Sequence, residues 1–141
     1  MKAITIYPSY AMLICTGAKQ YETRTWMTEH RGLLAIHASQ FKNWPPREKE
    51  KFWFTAIFDH LKSLGFNAPK DLPAGCVIGH VTVTDCLRMN AKLIRTIHMD
   101  EYTMGRWQSG NYAWKLECPV LYPEPIEATG RQGLWEFHHH E

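Results

Sequence analysis

A cation, a carboxylate, a guanidinium and two aromatic rings lie within ten residues near the start of this chain, at 17–26. From Gln20 onward the residues alternate as in a β-strand, which places Glu22, Arg24 and Trp26 on one strand face. An arginine can hold a phosphate through two parallel hydrogen bonds, and a carboxylate can accept a hydrogen bond from an amine. Such side chains in register on a rigid strand would form a preorganised site. The same alternation also fits a half-buried strand whose Glu22 and Arg24 are ordinary surface charges.

The composition of the chain is that of a folded domain. With 141 residues, of which 45% are hydrophobic and 13% aromatic, the chain can bury a core of its own. We predict one domain over residues 1–137 and a histidine-rich tail at 138–141. The net charge of +2 permits an anionic ligand, but it falls short of a dedicated nucleic-acid binder with a continuous basic face.

The cysteines and the apolar runs indicate the environment of the protein. No signal peptide and no apolar run near twenty residues is recognisable, so we expect a cytoplasmic protein that does not enter a membrane. The histidine tail could chelate a metal in isolation, but a flexible tail explains it more simply, and we predict neither a metal site nor a cofactor. Four scattered cysteines without zinc spacing are expected to be reduced thiols: Cys15, Cys76, Cys86 and Cys118.

The rest of the sequence predicts the elements that would position this segment. Apolar and polar residues alternate in the predicted strands, and apolar residues recur at helical spacing in the predicted helices. Ser9 is the expected N-cap of the first helix, Gly17 its left-handed end, and Gly79 a bend in the longest strand. In chain order we predict a strand at 2–6, a helix at 10–16, strands at 19–26 and 33–38, a helix at 45–64, a strand at 76–86, a helix at 90–98, and strands at 111–117, 119–122 and 134–137.

These elements add up to an α+β fold. Several curved strands, a bulge glycine and a few helices predict a small closed or nearly closed β-barrel with helices at its ends. His37, near the end of the buried run 33–38, is either a hydrogen-bonded core histidine or part of a site. Asp85 closes the longest strand, where its carboxylate either caps a turn or faces a pocket. We interpret the cations near the helix at 45–64, Lys42 among them, as a solvated face.

Two runs of the sequence resemble a known family. The segments GAKQYETRTW at 17–26 and RGLLAIHA at 31–38 are similar to the ASCH domain (activating-signal-cointegrator homology) of the PUA-like superfamily. Further similar segments are LPAGCVIG at 72–79, VTDC at 83–86, GNYAW at 110–114, and the stretch from 125 to 135, so the resemblance covers nearly the whole chain. It implies a PUA-like β-barrel with flanking helices, a cleft lined by the GxKxxExR segment, and recognition of RNA or another nucleic acid.

The chain departs from the family pattern at two places. The usual Gln-Pro-Trp before the first helix is replaced by Pro8-Ser9-Tyr10, which loses an amide and keeps an aromatic ring. One branch of the family hydrolyses acetylcytidine with a lysine, a threonine three residues later and an acidic residue. Here Glu22 stands three residues after Lys19, and the displaced Thr23 would face the other side of a regular strand. We therefore expect little acetylcytidine hydrolysis, and at most a partial gain in Glu22→Thr.

The sequence leads to two hypotheses for function. In the first, the protein binds RNA, single-stranded nucleic acid or a modified nucleotide in a concave cleft. In the second, it is a hydrolase of an RNA phosphodiester or an acylated nucleoside, with Lys19 and Glu22 as catalytic residues and Asp85 as a further acid/base partner. A protein-interaction adaptor is a third reading, and the sequence names neither the ligand nor the oligomeric state. The expected ligand-binding residues are Lys19, Glu22, Arg24, Trp26, Tyr10, Arg31 and His37.

Overall fold

Six β-strands form one sheet in the computed structural model, which describes residues 1–43 and 56–138. The strands are β1 (Lys2–Ile6), β2 (Tyr21–Arg24), β3 (Gly32–Ala38), β4 (Cys76–Arg88), β5 (Tyr112–Glu127) and β6 (Trp135–Glu136). Their order across the sheet is β2-β5-β4-β3-β1-β6. β1 pairs with β3 in parallel, and the other neighbours are antiparallel. The helices are α1 (Pro8–Cys15), α2 (Ala56–Ser63), α3 (Ala91–Thr96) and α4 (Met99–Thr103), with short 3-10 turns at Phe41–Asn43 and Pro69–Asp71.

Helix α1 is almost entirely apolar and buries its side chains in the main core. The predicted N-cap is wrong, because Ser9 lies inside the helix and is buried. The helix begins earlier, at Pro8, whose fixed φ and missing N–H suit the first turn. Gly17 follows the helix with a φ of 86°, as predicted for a left-handed end. This burial of α1 fixes where the chain enters β2.

Gly79 is a point of close contact between the long strands β4 and β5. A Cβ atom at this position would lie 2.1 Å from the carbonyl oxygen of Val120, and the pairing register shifts on both sides of it. The predicted bend is therefore confirmed, since only glycine permits this backbone contact. Where two strands were predicted at 111–117 and 119–122, β5 is a single strand, because its ladder with β4 continues past Cys118, which has a φ of 52°.

The mixed α+β class is confirmed, but the prediction of a closed barrel is wrong, because the six strands of the described residues form one open sheet. β2 and β6, of four and two residues, stand at the two ends of the strand order. Among the residues that the structure describes, no ladder joins them. The guanidinium of Arg24 in β2 instead donates to the carbonyl of Thr5 in β1 at 3.1 Å, so a side chain spans the opening that a backbone ladder would fill.

Parts of two predictions lie outside the described residues. Of the helix predicted at 45–64, the structure describes only the end, α2, followed by Gly65 with a φ of 100°. Residues 139–141 of the predicted tail are likewise not described. No helix in 1–43 and 56–138 is long and apolar enough to cross a bilayer.

The four free cysteines differ in exposure, and we expect them to differ in reactivity. Burial raises the pKa of the Cys15 thiol to about 12 and also raises that of Cys76, whereas Cys118 is exposed. Because the thiolate is the reactive form, iodoacetamide should label Cys118 first and reach Cys15 and Cys76 only on unfolding. Peptide mass mapping of native and urea-treated protein measures this order. Labelling of Cys15 at the native rate of Cys118 would contradict it.

Candidate functional site

A cleft of about 1180 Å³ opens beside the edge strand β2. The end of β1 and His37 of β3 contribute to its lining, as does Tyr10 of α1. Residues 104–106, which follow α4, residues 129–133, which precede β6, and residues 39, 40, 42 and 43 also contribute to the lining. The cleft thus occupies the part of the molecule where the sheet fails to close.

The central charged pair of the cleft is Glu22 with Arg24, both on β2. Arg24 Nε and Nη2 lie 2.9 and 2.8 Å from the same carboxylate oxygen, Glu22 Oε2. The carboxylate is largely buried, with its side chain 9% exposed, and the guanidinium side chain is 26% exposed. The two-residue spacing on a strand explains the contact, because such side chains share a face. A third contact, from Arg24 Nη2 to the carbonyl of Thr5, holds the guanidinium in the cleft lining.

Lys19 is not among the residues that line this cleft. Its side chain is 1% exposed, and its ammonium contacts the Tyr21 carbonyl and lies 3.5 Å from Glu101 Oε2. The Tyr10 ring is 5.8 Å away from the same ammonium. Lys19 borders a separate pocket of about 260 Å³ next to β5. The structure therefore brings Glu22 and Arg24 together and leaves Lys19 in a buried ion pair.

Glu101, the partner of Lys19, was not predicted from the sequence. It belongs to α4, and its other oxygen accepts from the backbone N–H of Gln20 at 2.7 Å. The backbone carbonyl of Glu101 accepts from Trp107 Nε1 at 3.0 Å. These contacts attach α4 to the start of β2, which brings residues 104–106 to the side of the cleft. Lys19 thus belongs to the contacts that join α4 to the start of β2.

The other predicted site residues divide into two groups. Tyr10, Trp26 and His37 line the cleft. Arg31 lies outside this lining and is exposed, with Nη2 3.8 Å from the exposed carboxylate of Asp85. Trp26 also packs against the core, since its ring meets the buried Trp114 edge-on at a centroid distance of 4.9 Å.

Three cations that line the cleft were missed: Lys42, Arg106 and Arg131. Lys42 was interpreted as part of a solvated helix face, and the two arginines lie in loops whose position no local pattern reveals. Arg106 is held at the site because its backbone N–H donates to Thr23 Oγ1 at 3.0 Å. The hydroxyl that the sequence placed on the far side of the strand thus anchors the 104–106 loop. Among the described residues of the lining, Glu22 is the sole carboxylate, whereas four side chains are positively charged.

His37 is nearly enclosed, with 2% of its surface exposed. Its Nε2 lies 2.7 Å from the carbonyl of Ala128, and a carbonyl can only accept, so Nε2 carries the hydrogen. Burial lowers the pKa of His37 below its usual value, which keeps the ring neutral at pH 7. The reading of His37 as a hydrogen-bonded core histidine is therefore confirmed, and its role in a site stays a prediction, although the residue also borders the cleft.

Comparison with known proteins identifies the family. The model of the ASCH domain matches residues 4–127, and the chain belongs to this family. The chain is 34% identical to human Activating signal cointegrator 1 and 33% identical to the mouse protein, in each case over 84 residues. Those residues are 60% of this chain and 14% of each relative, so the chain spans only a small part of their length.

Solved structures show the same fold. The ASCH protein of Zymomonas mobilis matches with a TM-score of 0.62 at 14% identity, over 97% of this chain and 87% of that chain. A mutant of the same protein matches with a TM-score of 0.59 at 13% identity, over 97% and 89%. At this identity the likeness concerns the fold alone. The 129–133 side of the cleft lies beyond the residues that the family model matches.

Proposed function

We propose that the protein binds single-stranded RNA or a nucleotide in the cleft, with phosphates on its cationic sides and a base against its aromatic residues. The observation that carries this proposal is the concentration of charge. Among the described residues of the lining, four cations and one carboxylate sum to +3, while the whole chain carries +2. A concave surface with an excess of one sign focuses the field and attracts the opposite charge.

The size and the aromatic content of the cleft support an extended ligand. Pockets that enclose a small molecule measure roughly 300–1,000 Å³, and this cleft, at about 1180 Å³, is larger. Tyr10 and Trp26 are half-buried and so keep part of their rings available. Stacking of a base on such a ring contributes about 1–3 kcal/mol.

The hydrolase alternative stays a prediction, and the geometry favours binding over it. A reaction that uses Lys19 would require its ammonium in the cleft, whereas this ammonium is paired with Glu101 outside the lining. Glu22 would have to act as a base while Arg24 holds its Oε2. Asp85 pairs with Arg31 away from the cleft. These contacts leave the predicted catalytic groups apart from one another.

Removing the three missed cations should weaken RNA binding and flatten its salt dependence. Lys42, Arg106 and Arg131 are exposed and line the cleft. In the triple alanine variant the slope of log K against log salt should fall by about 2, because each single-strand phosphate contributes about 0.7. Fluorescence anisotropy with a labelled single-stranded RNA, titrated at several NaCl concentrations, gives both affinity and slope.

A matched triple variant tests whether RNA affinity and its salt dependence come from the cleft or from the overall charge of the protein. Lys70, Lys92 and Arg95 are exposed and lie outside the cleft lining, so their replacement by alanine changes the net charge equally. We expect this control to retain most of the slope and affinity. Equal losses in both variants would show diffuse attraction and contradict the assigned cleft.

A further inference from the structure

Arg106 is a cleft cation whose main chain is attached to the sheet at two points. Its N–H donates to Thr23 Oγ1 at 3.0 Å, and its carbonyl accepts from Asn111 Nδ2 at 3.3 Å. Thr23 belongs to β2, and Asn111 directly precedes β5, the strand with which β2 pairs. The side chain of Arg106 is exposed and lines the cleft. The main chain is thus held in place, while the guanidinium remains available to a ligand.

The preceding residue, Gly105, lets the loop lie directly against Thr23. A Cβ atom at position 105 would lie 3.0 Å from both Oγ1 and Cγ2 of Thr23 and 3.1 Å from Trp107 Nε1. Glycine is typical of positions where the backbone must approach another group this closely, and a larger residue would press the loop away from β2. The close fit brings the next N–H, that of Arg106, within reach of the Thr23 hydroxyl.

Thr23 also stands directly beside the arginine of the charged pair. Arg24 is the next residue along β2, and consecutive Cα atoms are about 3.8 Å apart. Arg24 is itself held by Glu22 and by the carbonyl of Thr5. The hydroxyl of Thr23 therefore attaches a second arginine next to one that is already fixed. Groups that are ordered before binding lose less freedom when the ligand arrives, which raises the affinity.

We propose that Thr23 is a positioning residue of the cleft, whose hydroxyl holds Arg106 beside Arg24 so that both guanidinium groups receive the phosphates of one single-stranded ligand. This inference rests on the proposed function and adds how the 104–106 loop takes part in it. Thr23 acts through Arg106, because its hydroxyl oxygen accepts the Arg106 N–H. Its effect on binding should therefore disappear when the Arg106 side chain is removed.

The variants Thr23→Val and Thr23→Ser separate the hydroxyl from the rest of the side chain. Valine puts a methyl group in place of the hydroxyl and leaves the Arg106 N–H without its acceptor, whereas serine keeps the oxygen. In anisotropy titrations with a labelled single-stranded RNA, Thr23→Val should bind about fivefold more weakly, as expected for one hydrogen bond, and Thr23→Ser within about twofold of the wild type. Unchanged affinity in Thr23→Val, or equal losses in both variants, would overturn the proposal.

A double-mutant cycle tests whether Thr23 acts through Arg106. In an Arg106→Ala background, Thr23→Val should cause no further loss, because the loop no longer carries the cation. Arg131→Ala removes a cation from the 129–133 side of the cleft and should leave the effect of Thr23→Val intact. The same loss in both backgrounds would show that Thr23 affects binding independently of Arg106, which contradicts the assigned role.

Hydrogen exchange adds a measurement that needs no ligand. The Arg106 amide should exchange more slowly in the wild-type protein than in Thr23→Val, because only the wild type offers it the hydroxyl acceptor, and Thr23→Ser should restore the protection. The amide of Ala35 in the central strand β3 serves as the control for intact folding. Equal exchange of Arg106 in the wild type and in Thr23→Val would remove the anchor on which the proposal depends.

The two measurements also separate this inference from the proposed function. If the wild-type protein binds no RNA, the proposed function fails, and this inference fails with it. If the wild type binds RNA and Thr23→Val speeds the exchange of Arg106 without weakening binding, the inference alone fails.

Discussion

Replacing Lys19 by alanine is expected to lower the free energy of unfolding by about 3–5 kcal/mol, as for the loss of one partner of a buried ion pair. The side chains of Lys19 and Glu101 are 1% and 10% exposed, so water cannot replace the lost ammonium. Glu101 would remain buried beside only the N–H of Gln20. Urea unfolding followed by circular dichroism measures the change.

Two further variants separate burial from charge. Lys92 is exposed, and Lys92→Ala should change stability by less than about 0.5 kcal/mol. The double variant with Lys19→Met and Glu101→Gln should recover much of the loss, because neutral side chains of similar volume remove the unpaired charge. A Lys19→Ala protein of unchanged stability that no longer binds its ligand would instead show that Lys19 works in the ligand site.

The sequence predicts well whatever depends on neighbouring residues. Glu22 and Arg24 meet because alternation along a strand places them on one face, so the sequence pattern alone could predict this contact. Gly79 and Gly17 are likewise predictable, because a close backbone approach and a positive φ each exclude most other residues. Trp114 and Trp135, which lie within two of the predicted strands, are both buried.

Contacts between distant residues could not be predicted in this way. Lys19 was expected in the cleft because the sequence did not reveal its partner. This partner, Glu101, lies 82 positions away on a helix that no pattern indicated. The hydrogen bond of His37 likewise joins it to Ala128, 91 positions away, and the close packing of Gly130 on its ring is a contact of the same kind. Closure of the sheet depends on the lengths of the two end strands, which alternation does not specify to within a residue or two.

Replacing Arg24 by alanine should weaken RNA binding about 100-fold, which corresponds to about 2.7 kcal/mol. Truncating one partner of a hydrogen-bonded charge pair at an interface costs about 2–5 kcal/mol, because the other charge stays unpaired. Here the unpaired group would be the Glu22 carboxylate, whose negative charge faces the phosphates of the ligand. Arg24→Lys should have an intermediate effect, since an ammonium keeps the charge and loses the fork.

Arg31 supplies the matched control for Arg24. The sequence named both arginines as ligand-binding, but Arg31 is exposed and lies outside the cleft lining. Arg31→Ala should therefore change the affinity by less than about threefold, within the small range of isolated surface charges. Anisotropy titrations of both variants at one fixed salt concentration make the comparison. Equal losses in the two variants would remove the structural distinction between them.

The double variant with Glu22→Gln and Arg24→Ala tests the physical reason for the loss. If most of the lost binding energy arises from the unpaired Glu22 carboxylate, neutralising Glu22 should restore about tenfold of the affinity lost in Arg24→Ala. If Arg24 acts only by contacting a phosphate, the double variant should bind as weakly as the single one. Recovery would thus assign to Glu22 and Arg24 a joint role, in which the arginine both holds the ligand and neutralises the one carboxylate found among the described residues of the cleft lining.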